Sequence, residues 1–359
     1  MSNDLDATAL PVANPNVTLK TLVRHTGLSL GTVSRALKDA PEVKPETRER
    51  VKRAAAELGY SVNLAGVKLR TGKTYTLCIV LPVEDAQQDF SDSGYMALVS
   101  GLYAALAGSY YSLVVHPQLP GVDPLEGLRT LVESRRVDGL ILTQTRPQDE
   151  RIQYLLAQDF PFVSYGRSEL AQAHPSYDTD HEDMAYQATR RLIERGHKRI
   201  AMLNPSPELM YAQHREQGYR RALAEAGLDF EAALLRSSGL SAGDGRRIVL
   251  DLAQHAKRPT AFVCANEFTA LGALSAFAEL GWQAGREAVV VATDDSNISA
   301  FFVPPISTYF ASLHRAGRQL GSLLLRRLDG EAPERLQLLE RAELIERQSD
   351  QAPEKAHKP

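Results

Sequence analysis

Between residues 17 and 60 the apolar positions recur at helical spacing in three short bursts. Leu19, Leu22 and Val23 share one face of the first, and Val33 and Leu37 one face of the second. Val51, Ala54, Ala55 and Leu58 form an i, i+3, i+4, i+7 stripe on the third. Thr18 and Ser29 stand just before the first two bursts, where a side-chain oxygen takes up a free backbone N–H. Pro45 suits the first turn of the third, and Gly27 and Gly59 stand where the first and third helices should stop. Two short helices joined by a tight glycine turn, with a third to close a small core, predict a helix-turn-helix. The polar side chains of its second helix are left free to face a groove.

After Lys73 the pattern changes. Short apolar runs at 76–81, 111–116, 137–143, 160–165, 199–203, 261–265 and 288–293 alternate with amphipathic stretches that include 94–107, 124–133, 181–195, 211–226, 243–256 and 269–280. Strands alternating with helices predict an α/β body of parallel sheets, with ligands at the carboxyl ends of the strands. There is no short internal repeat and no low-complexity tract.

Composition adds little until charge is split along the chain. The 359 residues suggest more than one domain, and 43% hydrophobic with 24% charged residues is ordinary for a globular protein. Residues 16–73 carry twelve Lys or Arg and five Asp or Glu, a charge of +7, which leaves −10 for the rest of a chain whose total is −3. A basic segment on an acidic body points to a polyanion partner for the former. Cys78 and Cys264 sit in apolar runs and read as buried free thiols of a reducing cytoplasm. No Cys/His cluster has metal spacing, no apolar run is long enough to span a bilayer, and Asp4 and Asp6 replace the basic start of a secretory signal. No metal, cofactor or membrane partner is therefore expected.

Val17-Thr-Leu-Lys, Gly27-Leu-Ser, Thr32-Val-Ser-Arg-Ala-Leu37, Glu46-Thr-Arg-Glu-Arg50, Leu58-Gly-Tyr60 and Leu69-Arg-Thr-Gly72 follow one another in order. This run closely resembles the headpiece of LacI-family bacterial transcription regulators. The resemblance implies that Leu30 and Gly31 open a recognition helix over base edges, and that Ser34 and Arg35 reach bases or phosphates, Arg suiting O6 and N7 of guanine. Thr18, Ser29, Lys38 and Thr47 would fix register on phosphates, Thr47 doubling equally well as a helix-start residue. Asn63 to Arg70 would be a hinge helix in the minor groove, with Leu69 as the wedge between base pairs. Gly66 and Val67 replace a usual Ala-Arg pair and Val62 a usual proline. Because glycine costs about 1 kcal/mol in a helix, the hinge is expected to fold only on its operator.

Gly196-His-Lys-Arg-Ile200, Arg215-Glu-Gln-Gly-Tyr-Arg-Arg-Ala-Leu223, Ala265-Asn-Glu-Phe-Thr-Ala-Leu-Gly-Ala273 and Thr293-Asp-Asp295 extend the resemblance into the body. It implies two Rossmann-like subdomains of the type I periplasmic-binding-protein kind, with crossovers near Tyr165, Asp295 and Leu325 and a small-molecule effector between them, most readily a carbohydrate. Arg215, Asn266 and Asp294 match effector contacts, with chemistry that suits a polyol. Asp294 reads alternatively as a helix cap. Arg167 is a further candidate or else an ion-pair partner, and Phe90, Tyr95 or Trp282 are candidate aromatic faces. Glu267 stands in place of a usual aspartate. The implied protein is an allosteric cytoplasmic homodimer, most simply a repressor, with a weaker likeness to α-glucoside regulators. The implied domains are a disordered 1–16, a helix-turn-helix domain at 17–62, a hinge at 63–73, an effector-binding and dimerisation domain at 74–348 and a disordered tail at 349–359. Two other readings stand beside it: a sugar-binding module without DNA function, and an α/β-hydrolase. The latter rests on Gly239-Leu-Ser-Ala-Gly243, with Asp294 and His314 following Ser241 in triad order, but no oxyanion motif precedes it. The Gly72-Lys-Thr74 segment lacks the upstream glycine of a phosphate loop, Val67 standing in its place.

Overall fold

The computed structural model describes residues 14, 17–37, 39–60, 64–83, 93–294 and 297–351. The chain divides after Lys73 into two compact units.

The first unit holds α1 (Leu19–Thr26), α2 (Leu30–Ala36), α3 (Pro45–Glu57) and α4 (Leu64–Thr71). Thr18 caps α1 in a reciprocal capping box with Thr21, and Gly27 ends it in the left-handed region at φ 67°. Ser29 caps α2 through the N–H of Thr32 at 3.2 Å. Leu22, Val33, Ala36, Val51, Ala54 and Ala55 interlock as the core, with Leu19, Val23, Leu37 and Leu58 against them. The predicted stripes all turn inward. The predicted N-terminal segment 1–16 lies outside the described residues except Asn14, whose N–H donates to the Gly59 carbonyl at 2.8 Å.

The second unit is built on two six-stranded sheets. The first contains β1 (Thr76–Pro82), β2 (Ser112–Gln118), β3 (Gly139–Leu142), β4 (Phe162–Tyr165), β5 (Ser176–Thr179) and β11 (Gln337–Glu340), in the order β11-β5-β4-β3-β1-β2, all parallel. Its helices are α5 (Ser93–Leu106), α6 (Pro124–Glu133), α7 (Glu150–Ala157) and α12 (Leu313–Leu328). The second sheet contains β6 (Ile200–Asn204), β7 (Leu235–Ser237), β8 (Ala261–Cys264), β9 (Val289–Asp294), β10 (Ser307–Phe310) and β12 (Glu343–Ile345), in the order β12-β10-β9-β8-β6-β7. β12 runs antiparallel to β10, and the other described pairs of this sheet are parallel. Its helices are α8 (His181–Glu194), α9 (Met210–Glu225), α10 (Ala242–Ala253) and α11 (Glu267–Glu279). Buried Val, Ile and Leu fill both faces of each sheet, as parallel sheets require. Helices α5 and α12 approach so closely that a Cβ on Gly317 would lie 2.0 Å from the Leu98 carbonyl oxygen. Only glycine fits there.

The two-subdomain α/β body is as expected, but the crossovers fall elsewhere. The chain leaves the first sheet at Asp180, which caps α8, returns between β10 and α12, and leaves again between β11 and β12. The expected crossing near Tyr165 comes later because β5 adds a strand. The one expected near Asp295 comes later because β10 adds another. Leu325 is interior to α12. The disorder expected from Ser349 does not hold for the start of that stretch, and 352–359 lie outside the described residues. Ser349 and Asp350 are fully buried. The Ser349 hydroxyl accepts from the Ser307 N–H at 2.9 Å and donates to the Val290 carbonyl at 2.6 Å. Asp350 lies between Arg191 and Arg195 and accepts from the Ser307 hydroxyl. Charge pairing orders a segment that apolar content alone leaves open.

Candidate functional site

The first unit presents the predicted DNA contacts that are described at the starts of α1 and α2, along α2, and on α3 and α4. Capping consumes the hydroxyls of Thr18 and Ser29 locally while both residues stay exposed. Leu30 is 51% exposed despite being apolar, and exposed Gly31 follows it. Arg35, also exposed, donates from Nε to the Gly31 carbonyl at 3.2 Å, which lays its guanidinium along the outer face of α2. Ser34 and Thr47 are half-buried. On α4, Leu69 is 91% exposed. Lys38 and Asn63 lie outside the described residues.

In the second unit a cavity of about 150 Å³ opens between the two sheets at the carboxyl ends of their strands. Thr143 and Gln144 after β3, Tyr165 and Gly166 at β4, and Asp178 on β5 line it from the first sheet. From the second come His181 on α8, Tyr211 and Arg215 on α9, Asn266 before α11 and Thr293 on β9. Tyr95 on α5, one of the candidate aromatic faces, lines it as well.

Arg215 is 3% exposed. Its Nη2 donates to the Ala265 carbonyl at 3.1 Å and the Thr293 hydroxyl at 2.8 Å, and its Nη1 stands 3.4 Å from His181 Nδ1. Because a guanidinium only donates, this contact assigns Nδ1 as acceptor and leaves the imidazole proton on Nε2. Burial, then the nearby charge of Arg215, holds His181 well below its usual pKa, so the ring is neutral. The Tyr211 ring lies against it at 5.2 Å. Asn266 lines the cavity as the cap of α11, its Oδ1 accepting from the Thr269 N–H and its Nδ2 donating to the Leu240 carbonyl, both at 2.8 Å. Asp294 is the last residue of β9, and its side chain lies outside what is described, as does Phe90.

Arg167 does not line this cavity. Its Nε pairs with Asp178 Oδ2 at 2.8 Å, and its Nη2 lies 3.4 Å from His214 Nδ1, so it stands behind Asp178 as an ion-pair partner. Trp282 is likewise elsewhere, packed on Phe277 with the Arg258 guanidinium over its face. Ser241 is the cap of α10: its hydroxyl accepts from the Asp244 N–H at 3.0 Å, and its side-chain neighbour is the Asp244 carboxylate, where a hydrolase would need a histidine. Asp178, His181 and Tyr211 escaped the sequence reading. The available signal was a strand, Ser-Tyr-Asp-Thr, too polar to bury without a purpose. Among the described residues no group of three or more His, Cys, Asp or Glu could hold a metal, and no helix is long and apolar enough to cross a membrane.

Comparison with known proteins agrees with both units. The model of bacterial regulatory proteins of the lacI family matches residues 18–63, and that of the periplasmic binding protein-like domain matches residues 189–349. The HTH-type transcriptional regulator AglR of Rhizobium meliloti (strain 1021) is 36% identical over 343 residues, 93% of this chain and 94% of the relative. The regulator CelR of Thermobifida fusca is 31% identical over 334 residues, 92% of this chain and 98% of the relative. Among solved structures, a transcriptional regulator CelR–cellobiose complex superposes with a TM-score of 0.70 at 30% identity, covering 93% of this chain and 99% of that one. A Lac repressor dimer bound to operator and an anti-inducer superposes at 0.74 and 25% identity, covering 94% and 99%. Matched in both units and along more than nine-tenths of its length, the chain belongs to the lacI family of bacterial regulatory proteins, as a DNA-binding transcription regulator and not an enzyme.

Proposed function

We propose that this regulator is a cytoplasmic homodimeric repressor whose grip on its operator is set by a neutral carbohydrate in the cleft between the two sheets. Residues 17–62 read the operator, 63–73 form the hinge, and 74–348 hold the effector and the dimer contacts. The observation that carries the reading is the cleft itself. At the strand ends it gathers a buried guanidinium, an amide, an imidazole and tyrosine rings, the donors, acceptors and flat faces that a polyol needs. The cellobiose bound to the CelR relative supports a sugar, and the operator-bound Lac repressor dimer supports both the DNA partner and the pairing of subunits. Exposed apolar side chains support that pairing too: Val114 and Val115 on the edge strand β2, and Phe301 and Val303 in the second subdomain. The buried free thiols of Cys78 and Cys264 suit a reducing cytoplasm.

Effector binding would bias how the two subdomains close, and reciprocity requires operator binding to change effector affinity by the same factor. The test is a genomic selection of DNA fragments on the full-length protein, followed by fluorescence anisotropy on the enriched duplex with and without sugars. A near-palindromic site whose affinity falls with one sugar is expected. Enrichment of no site, or an affinity indifferent to every sugar, refutes the reading.

A further inference from the structure

Asp178 occupies the third position of β5, is 1% exposed and lines the cleft. Its two oxygens are treated differently. Oδ2 accepts from the Arg167 Nε at 2.8 Å and, more weakly, from the Arg167 backbone N–H at 3.4 Å. Oδ1 has no hydrogen-bond partner. A buried acceptor without a donor is costly, so Oδ1 is poised to take a hydrogen bond from outside the chain.

The atom facing Oδ1 is His181 Nε2, 3.7 Å away, beyond hydrogen-bond distance. The ring cannot turn to close the gap without giving up its Nδ1 contact with Arg215 and its packing on Tyr211. The gap therefore has an acceptor on one side and an N–H donor on the other. A carboxylate or phosphate in it would accept from His181 but meet the charge of Asp178. An ammonium would donate to Asp178 and offer the His181 N–H nothing. A hydroxyl donates to one and accepts from the other. Asp178 lies on β5 of the first sheet and His181, three residues on, opens α8 of the second subdomain, so the hydroxyl would sit at the crossover between them.

We propose that Asp178 and His181 form an acceptor–donor clamp for a single hydroxyl of the effector, and that this clamp selects neutral sugars against acidic and phosphorylated ones. Resting on the carbohydrate reading above, the clamp names the two side chains that discriminate within that class. Burial, opposed by Arg167 and the Thr179 backbone N–H, raises the Asp178 pKa, so a hydroxyl donating to Oδ1 would stabilise the charged form.

The test is isothermal titration calorimetry on the full-length protein with maltose, sucrose, cellobiose, glucose 6-phosphate and glucuronate. The tightest neutral sugar is then repeated as its set of monodeoxy analogues. One analogue is expected to lose about 10- to 100-fold in affinity, the range for a hydrogen bond to a charged group. Asp178→Asn should cost the intact sugar a similar factor, and the same analogue should lose nothing further on that variant. A neutral sugar that binds wild type and a normally melting Asp178→Asn equally well overturns the clamp while leaving the carbohydrate reading intact. Tighter binding of glucose 6-phosphate or glucuronate overturns it too. Should none of the five bind wild type, the carbohydrate reading itself falls, and the clamp with it. If Asp178→Asn does not fold, His181→Phe keeps the ring packing and the Asp178–Arg167 pair and carries the same cycle.

Discussion

Replacing Gly66 by alanine isolates the folding of the hinge from every other step of DNA binding. Helix α4 is only eight residues long, carries no acidic side chain in its first turn and exposes Leu69 almost completely. A helix so short is marginal by itself in water, because nucleation is costly and few hydrogen bonds follow. Gly66 is exposed and takes a helical conformation without positive φ, so alanine meets no backbone strain there. Alanine favours the helix by about 1 kcal/mol over glycine. In a dimer two hinges order together, which gives about 2 kcal/mol, or roughly 30-fold in operator affinity at 1.4 kcal/mol per factor of ten. The gain appears only if the hinge is unfolded in the free protein and helical on DNA. The assay is anisotropy on the selected operator at fixed salt, with circular dichroism of free protein and complex. An affinity that does not change, or that falls, refutes the coupled-folding argument.

Three other perturbations test separate links. Leu69→Ala is expected to leave thermal stability within about 0.5 kcal/mol of wild type, since the side chain is 91% exposed, while operator binding and DNA bending measured by gel mobility both decrease. Asp350→Ala strands Arg191 and Arg195 beside a buried site and is expected to cost about 3 kcal/mol, read as a melting temperature lowered by several degrees; an unchanged melt would mean the C-terminal anchor is dispensable. The third concerns pH. His214 is held down to about 4 by burial and then by Arg167, and burial lowers His174, His181 and His197 as well. The unfolded chain protonates these rings near 6.5 and the folded one does not, so stability is complete above that pH and is lost as pH falls toward 4. Thermal melts from pH 7.5 to 4.5 should show the decline, and His214→Gln should make it shallower. A flat profile contradicts the assignment.

The headpiece was legible because its helices are specified locally. Caps at Thr18 and Ser29, glycines at 27 and 59 and a single apolar face per helix all give the same answer. The long apolar strands of the body were legible for the same reason. What escaped were β5, β7, β10, β11 and β12, of three or four residues each, whose side chains are polar or face the edge of a sheet. Their pairing is decided by distant partners, as when Gln337–Glu340 lies beside Ser176–Thr179. The site divides similarly. Arg215 and Asn266 were reachable through the resemblance, and both line the cleft. Asp178 and His181 were not: they stand three residues apart, but only the fold brings the end of β5 and the start of α8 to the same cleft.

The interleaving of the two sheets also shapes how this protein is made. Strand β11 completes the first sheet and β12 the second, and α12, which covers the first, is built from residues between them and β10. During synthesis both halves must therefore wait, partly assembled, for the closing stretch of polypeptide to leave the ribosome. A premature stop before residue 337 would strip an edge from each, exposing unpaired backbone on β5 and β10 together. Truncation late in the gene thus yields an aggregation-prone product and not one sound lobe.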